Sequence, residues 1–289
     1  MKTIDYLFHF TTSLSSIQKI IAEGFKPSYS KEQFSGFDIL VPMISFSNVL
    51  LRDVGKAEVL HYGDYGMVMR RDWGLKNELN PVCYTYRDAT LDQSVFTILN
   101  NTAFLHFLKD FKPTLALNTQ SKGKPISEQM NITNLSTEVA GILDYLSVNF
   151  DEKLFDNIVQ HAASTYTANQ GVIKLAKPYE VQNKGCQSFV AYNDREWRKT
   201  YPALNYIYKE EKDDYEFWYQ EPKPHFHDAP YIIAFDLDDL KAVLVADEKE
   251  KAELENWLQS KFGAKQYDAH VANQSLTIGT YDQLMGAGL

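Results

Sequence analysis

The feature that most constrains this chain is a double change in the period of its apolar residues. From residue 6 to about residue 86 they alternate in short runs, as strands do, and from 88 to about 170 they recur at helical spacing. From 186 to 247 the alternation returns. Helical sequence enclosed by strand-like sequence reads as an insertion into one β-domain. The expectation is therefore a single α+β domain over residues 1–289, with a helical insertion at about 88–170. A chain of 289 residues, 44% hydrophobic and 13% aromatic, has ample material for a core.

Charge and cysteine usage narrow the function classes. Lys and Arg number 29 against 38 Asp and Glu, a net charge of -9. A field of that sign opposes duplex nucleic acid, whose binding rests on neutralising phosphates. Cys83 and Cys186 stand far apart in strand-like runs and suggest neither a disulfide framework nor a metal cluster. No long apolar region follows Met1-Lys2-Thr3-Ile4-Asp5, and no window reads as a membrane span, so a cytoplasmic protein without membrane contact is expected.

The first strand, residues 6–11, puts Leu7, His9 and Thr11 on one face and Tyr6, Phe8 and Phe10 on the other. Thr12 or Ser13 can then cap a helix with Leu14, Ile17, Ile20 and Ile21 on one side, ended by Gly24. Residues 29–38 read as a polar loop. The next strand, 43–47, buries Ile44 and Phe46 and leaves Ser45 and Ser47 opposite. Small polar groups on two strands describe a ligand cleft or a solvated face equally well. Further along, the pattern predicts a short helix at 56–62, a strand at 65–70, a helical turn at 71–76 and a strand at 81–86. A helix from 88 should stop just before Pro113, and a second helical stretch covers 139–159. Strands at 186–192, 231–235 and 242–246, an acidic aromatic loop at 210–219 and a charged helix at 248–262 complete the reading.

Glu196 sits between Arg195 and Trp197, two residues before Arg198. In a continuing strand Glu196 and Arg198 share a face, and an arginine beside a carboxylate holds it ionised. A plain edge-strand ion pair is the alternative. His225 and His227 alternate as zinc ligands can, but no further ligands stand near them, and no metal is expected. A cysteine paired with His9 could act as a nucleophile, although both cysteines read as core thiols.

Several of these runs together resemble one family. Leu7-Phe8-His9-Phe10-Thr11 with its capped helix and Gly24, Ile44-Ser45-Phe46-Ser47-Asn48, the Tyr65-Gly66 strand with Asp72-Trp73 and Asn80-Pro81-Val82, and Arg195-Glu196-Trp197-Arg198 look like the AbiGi-like family of bacterial abortive-infection proteins. More distantly the pattern is similar to ADP-ribosyltransferase-like folds, including the DarT toxins and the RNA 2'-phosphotransferases. The matching segments are residues 6–86 and about 186–247.

The resemblance implies an ADP-ribosyltransferase-like split β-sandwich of two small sheets, with NAD as co-substrate in the cleft between them. It implies that His9 binds a ribose on the adenosine or nicotinamide side and that the Phe10 backbone holds the carboxamide. Thr11, Ser45 and Ser47 would line the site, Tyr65 or Tyr62 would stack on nicotinamide, and Arg52, Arg70 or Arg71 would meet the pyrophosphate. Glu196 would be the catalytic carboxylate, assisted by His9. Breaking the nicotinamide bond builds positive charge on the ribose, which a fixed carboxylate stabilises before accepting a proton from the nucleophile. The function expected on this basis is an NAD-dependent ADP-ribosyltransferase toxin of phage defence. Its acceptor would be nucleic acid, RNA or single-stranded DNA, engaged by aromatics such as Trp218, Tyr219 and Phe226. Its protein partners would be an antitoxin and a chaperone. The alternative is a catalytically inactive binding module of the same fold, an antitoxin or phage sensor, and a third reading is an NAD glycohydrolase.

Overall fold

A computed structural model of the chain describes residues 4–34, 37–50, 63, 65–120, 137–182, 188–190, 195–209 and 211–286. Contacts divide it into two compact units, Met1–Asp92 with Lys174–Leu289, and Gln93–Ile173.

The first unit opens with β1 (Tyr6–Thr11) and α1 (Leu14–Glu23). Ser13 caps α1, its hydroxyl accepting from the Ser16 N–H at 3.1 Å, and Leu14, Ile17 and Ile21 form the buried side. Gly24 ends the helix at φ +85°, and a Cβ there would fall 2.7 Å from Ile232 Cγ2 and 2.8 Å from the Ile233 carbonyl oxygen. Gly24→Ala should therefore cost about 2–4 kcal/mol, from the strained backbone and the overlap together, read as a lower urea midpoint at unchanged slope.

Next come β2 (Ser28–Phe34), β3 (Phe37–Ser47), β4 (Tyr65–Arg70), α2 (Arg71–Lys76), β5 (Asn80–Pro81) and β6 (Cys83–Thr85). The second unit is made by α3 (Thr90–Gln120), α4 (Thr137–Val148) and α5 (Glu152–Leu175). Leu108, Leu115, Leu143, Phe155 and Val159 form its core. The chain then returns through β7 (Ala176–Pro178), β8 (Glu180–Gln182), β9 (Ser188–Val190), β10 (Glu196–Thr200), β11 (Ile207–Tyr208) and α6 (Lys212–Tyr219). It finishes with β12 (Leu240–Leu244), α7 (Glu248–Phe262), α8 (Ala264–Ala272), β13 (Thr277–Gly279) and α9 (Tyr281–Gly286).

Among the described residues one nine-stranded sheet runs β13-β12-β4-β1-β3-β10-β5, with β2 and β11 also on β3. Two further sheets, β6-β7 and β8-β9, have two strands each. The mixed architecture agrees with the α+β expectation. The main strands join a single sheet, however, where two small sheets were expected.

Register assigns the two faces of that sheet. Ser47 lies opposite Phe8 of β1 on one side and opposite Glu196 of β10 on the other. Directly paired residues share a face. One face thus carries Leu7, Ile44, Phe46, Met67, Met69 and Trp197 and packs on α1 and on Leu254 and Leu258 of α7. The other carries Phe8, Val68, Ala242 and Leu244, which pack with Leu284 of α9.

Four local expectations are corrected. Residues 29–38 are mostly strand, β2 pairing with β3 from Ser28 opposite Met43 to Phe34 opposite Phe37. The run looked like a loop because one of its buried positions, Glu32, is charged. α3 continues through Pro113 to Gln120, and Leu115, fully buried beyond the proline, gives that continuation a packed residue. The acidic aromatic stretch contains helix α6. Residues 231–235 form no strand; a 3-10 turn at Ala229–Tyr231 leads into a single bridge between Phe25 and Ile233. The expected helix at 56–62 lies outside the described residues.

Candidate functional site

The densest cluster of buried charge centres on β10. Glu196 is 7% exposed and Arg198 1%, on the same face of the strand and joined by Arg198 Nε donating to Glu196 Oε1 at 2.6 Å. The other carboxylate oxygen, Oε2, accepts from Lys177 Nζ. Arg198 Nη2 donates to Oε1 of Glu32, a buried residue of β2, and Nη1 donates to the carbonyls of Lys174 at 3.1 Å and Ala176 at 3.2 Å. Those carbonyls stand at the C-terminal end of α5, where a cation is favoured. Lys174, also buried, donates through Nζ to the carbonyls of Tyr201 at 2.7 Å and Leu204 at 2.6 Å. Tyr84 closes the edge, its hydroxyl accepting the Glu196 N–H at 2.8 Å.

Two carboxylates share one guanidinium here, and their second partners separate them. Burial opposes ionisation of Glu196, but Arg198 and Lys177 outweigh it and hold the pKa at about 2. Burial dominates at Glu32, and its carboxyl is pushed up despite Arg198, with the Glu196 charge adding to the rise. The opposed carboxylates raise the Arg198 pKa, and burial without a carboxylate partner lowers that of Lys174 to about 8. Every polar atom of the Glu196 and Arg198 side chains is thus committed inside the protein. A general base needs a lone pair facing its substrate, and both Glu196 oxygens already face cations.

His9 lies on the opposite face of the sheet, opposite Met67 of β4 and with its ring 5.3 Å from Phe46 and 5.1 Å from Phe25. Its Nδ1 is 2.9 Å from the Ser45 carbonyl, so Nδ1 carries the proton, and burial lowers its pKa and keeps the imidazole neutral. The expected pairing of His9 with Glu196 in one cleft is corrected by this register: the sheet itself stands between the two side chains.

The remaining expected NAD-binding residues divide in the same way. Thr11 and Tyr65 are opposite each other on the His9 face, and the Tyr65 hydroxyl donates to Glu250 of α7 at 2.8 Å. Ser45 and Ser47 are on the Glu196 face, opposite Arg198 and Glu196. Phe10 packs with the Phe8 cluster, its ring stacked on Phe8 at 5.8 Å. Arg52 and Tyr62 lie outside the described residues. Arg70 donates to the carbonyls of Asp238 at 2.8 Å and Ser275 at 3.0 Å, and the Arg71 guanidinium lies over the Trp197 ring at 5.2 Å. Among the described residues no three His, Cys, Asp or Glu side chains are placed to hold a metal ion, and no helix is long and apolar enough to cross a membrane. Sequence reasoning missed Glu32, Lys174 and Lys177 altogether. A carboxylate inside a strand that also buries Tyr29 and Phe34 was the signal available.

Residues 35–246 match the family model described as "Putative abortive phage resistance protein AbiGi, antitoxin". The chain belongs to the AbiGi family. The match takes in well over half of the 289 residues, including β3, β4, the helical unit and the Glu196 strand. No curated protein and no solved structure matches the chain. The AbiGi description names an antitoxin, which overturns the expectation of a toxin enzyme and favours the alternative, a binding module. The Glu196 cluster ties β7 and β10, inside the AbiGi match, to β2, which precedes it.

Proposed function

We propose that this chain is the antitoxin of an abortive phage resistance system, a non-catalytic module that binds a protein toxin and holds it inactive. The observation that carries the reading is the closed state of Glu196: both of its oxygens are engaged by Arg198 and Lys177, across the sheet from His9. The family description supports it from the other side. In this reading any kinship with ADP-ribosyltransferase-like folds is one of scaffold, not of chemistry.

Growth of a host expressing the chain alone, the paired toxin alone, and both together tests it. The chain alone should leave growth unchanged and should restore growth when produced with the toxin. Growth arrest by the chain alone, relieved by Glu196→Gln, would reverse the assignment.

A further inference from the structure

Residues 223–233 lie over the core as a strap whose one regular piece is the 3-10 turn Ala229–Tyr231. Three amide bonds stitch it to the segment that follows α1. Phe25 N–H donates to the Ile233 carbonyl at 3.0 Å, Ile233 N–H to the Phe25 carbonyl at 2.9 Å, and Phe226 N–H to the Pro27 carbonyl at 3.0 Å. Tyr201, just beyond β10, adds a fourth tie, its hydroxyl donating to the Tyr231 carbonyl at 2.7 Å. Trp218 and Phe226, which the sequence offered for base stacking, are stacked on each other at 4.6 Å and seat the strap instead. Phe25 is 1% exposed beside it, with its ring 5.2 Å from Phe235 and 5.1 Å from His9.

Three imidazoles meet at this seam, and each is seated in its neutral form. His227 Nδ1 stands 3.1 Å from Lys26 Nζ, and an ammonium can only donate, so that nitrogen presents its lone pair. A doubly protonated ring has no lone pair to offer. His9 donates from Nδ1 to the Ser45 carbonyl; burial disfavours its charged form, and a charge on His225 disfavours it further. At His225 burial lowers the pKa more than a hydrogen bond to the Lys26 backbone raises it, and His227, Lys26 and Lys223 push the same way as burial. Carboxylates do little to offset this. Glu23 is already paired with Lys26 and also faces Lys19, and Asp228, the acidic residue of the strap, is exposed. Tyr29, Trp218 and Tyr201, which the strap also touches, carry no charge near neutral pH.

We propose that residues 223–233 are an acid-released latch: protonation of His9, His225 and His227 frees the strap from residues 25–27 and uncovers Phe25 and His9 while the sheet stays folded. The latch goes beyond the antitoxin reading and does not depend on it. A histidine that is harder to protonate in the closed form favours closure fully above its free value of 6.5 and loses that contribution as pH falls below it.

Amide hydrogen exchange of the full chain, followed by NMR at about pH 7.5 and about pH 5 and corrected for the intrinsic effect of pH, tests the latch. Phe25, Phe226 and Ile233 report on the strap, and Met67 and Val68, inside the main sheet, report on the fold. Protection at the three strap amides should fall about 10-fold or more at the lower pH, since each unit of difference in pKa is a factor of ten, while Met67 and Val68 change less than about threefold. In His9→Asn/His225→Gln/His227→Gln, where the amide at position 9 can still donate to the Ser45 carbonyl, the fall should vanish. His225→Gln/His227→Gln alters only the strap's own histidines and should by itself shrink the fall at least about threefold. Equal strap protection at the two pH values in the natural chain would overturn the proposal, as would a fall of undiminished size in His225→Gln/His227→Gln. Loss of protection at Met67 and Val68 together with the strap would also overturn it, because the whole domain would then be opening.

Discussion

Arg198→Met should destabilise the protein by about 3–5 kcal/mol, the largest single loss expected anywhere in the chain. The substitution removes the donor shared by Glu196 and Glu32 and strands the carbonyls of Lys174 and Ala176, all inside the protein. Unpaired buried charge is what makes such a change severe, not the loss of the ion pairs as attractions. Glu32→Leu/Glu196→Leu/Arg198→Met, which removes the stranded charges along with the guanidinium, should be more stable than Arg198→Met alone, because Lys177 still reaches solvent. Urea unfolding of the two variants checks both statements. If Arg198→Met unfolds at the natural midpoint, the cluster does not hold the fold.

Glu196→Gln should cost about 3 kcal/mol near neutral pH and progressively less toward acid. The folded pKa of Glu196 is about 2 against an ordinary value of 4.5, and a depressed carboxylate contributes stability that is complete above the unfolded value. That contribution is lost as pH falls from 4.5 through 2, so the natural chain and the variant should converge over that window. Glu32 runs in the opposite sense. Its raised pKa means that the folded state binds the proton more tightly, so its contribution is present at low pH and fades as pH rises. Melting temperatures of the two proteins from pH 2 to pH 7 measure the difference, and a constant gap across that range would mean that Glu196 is not the depressed group.

Elements governed by period alone were legible in the sequence. β1, β4, α1 and α7 fall where alternation, the Ser13 cap and the Gly24 stop put them, since each buries one face by its own pattern. Elements whose burial is supplied by something distant were not. β2 buries a carboxylate that only Arg198 makes tolerable, and α6 hides its helical side behind carboxylates. The expected meeting of His9 and Glu196 was not legible for a related reason. A period of two divides each strand into two faces but does not say which face of β1 meets which face of β10. That depends on Ser47 standing opposite both Phe8 and Glu196, and a slip of one residue would have put His9 and Glu196 together. Within β10 the alternation did place Glu196 and Arg198 on one face, and there they form a buried pair.

The central claim is that Glu196 is a structural charge whose oxygens belong to Arg198 and Lys177. It is tested most directly by following nicotinamide release from NAD by the purified natural chain and by Glu196→Gln, each held below its own melting temperature. The account predicts no release from either protein; release by the natural chain that Glu196→Gln abolishes would contradict it.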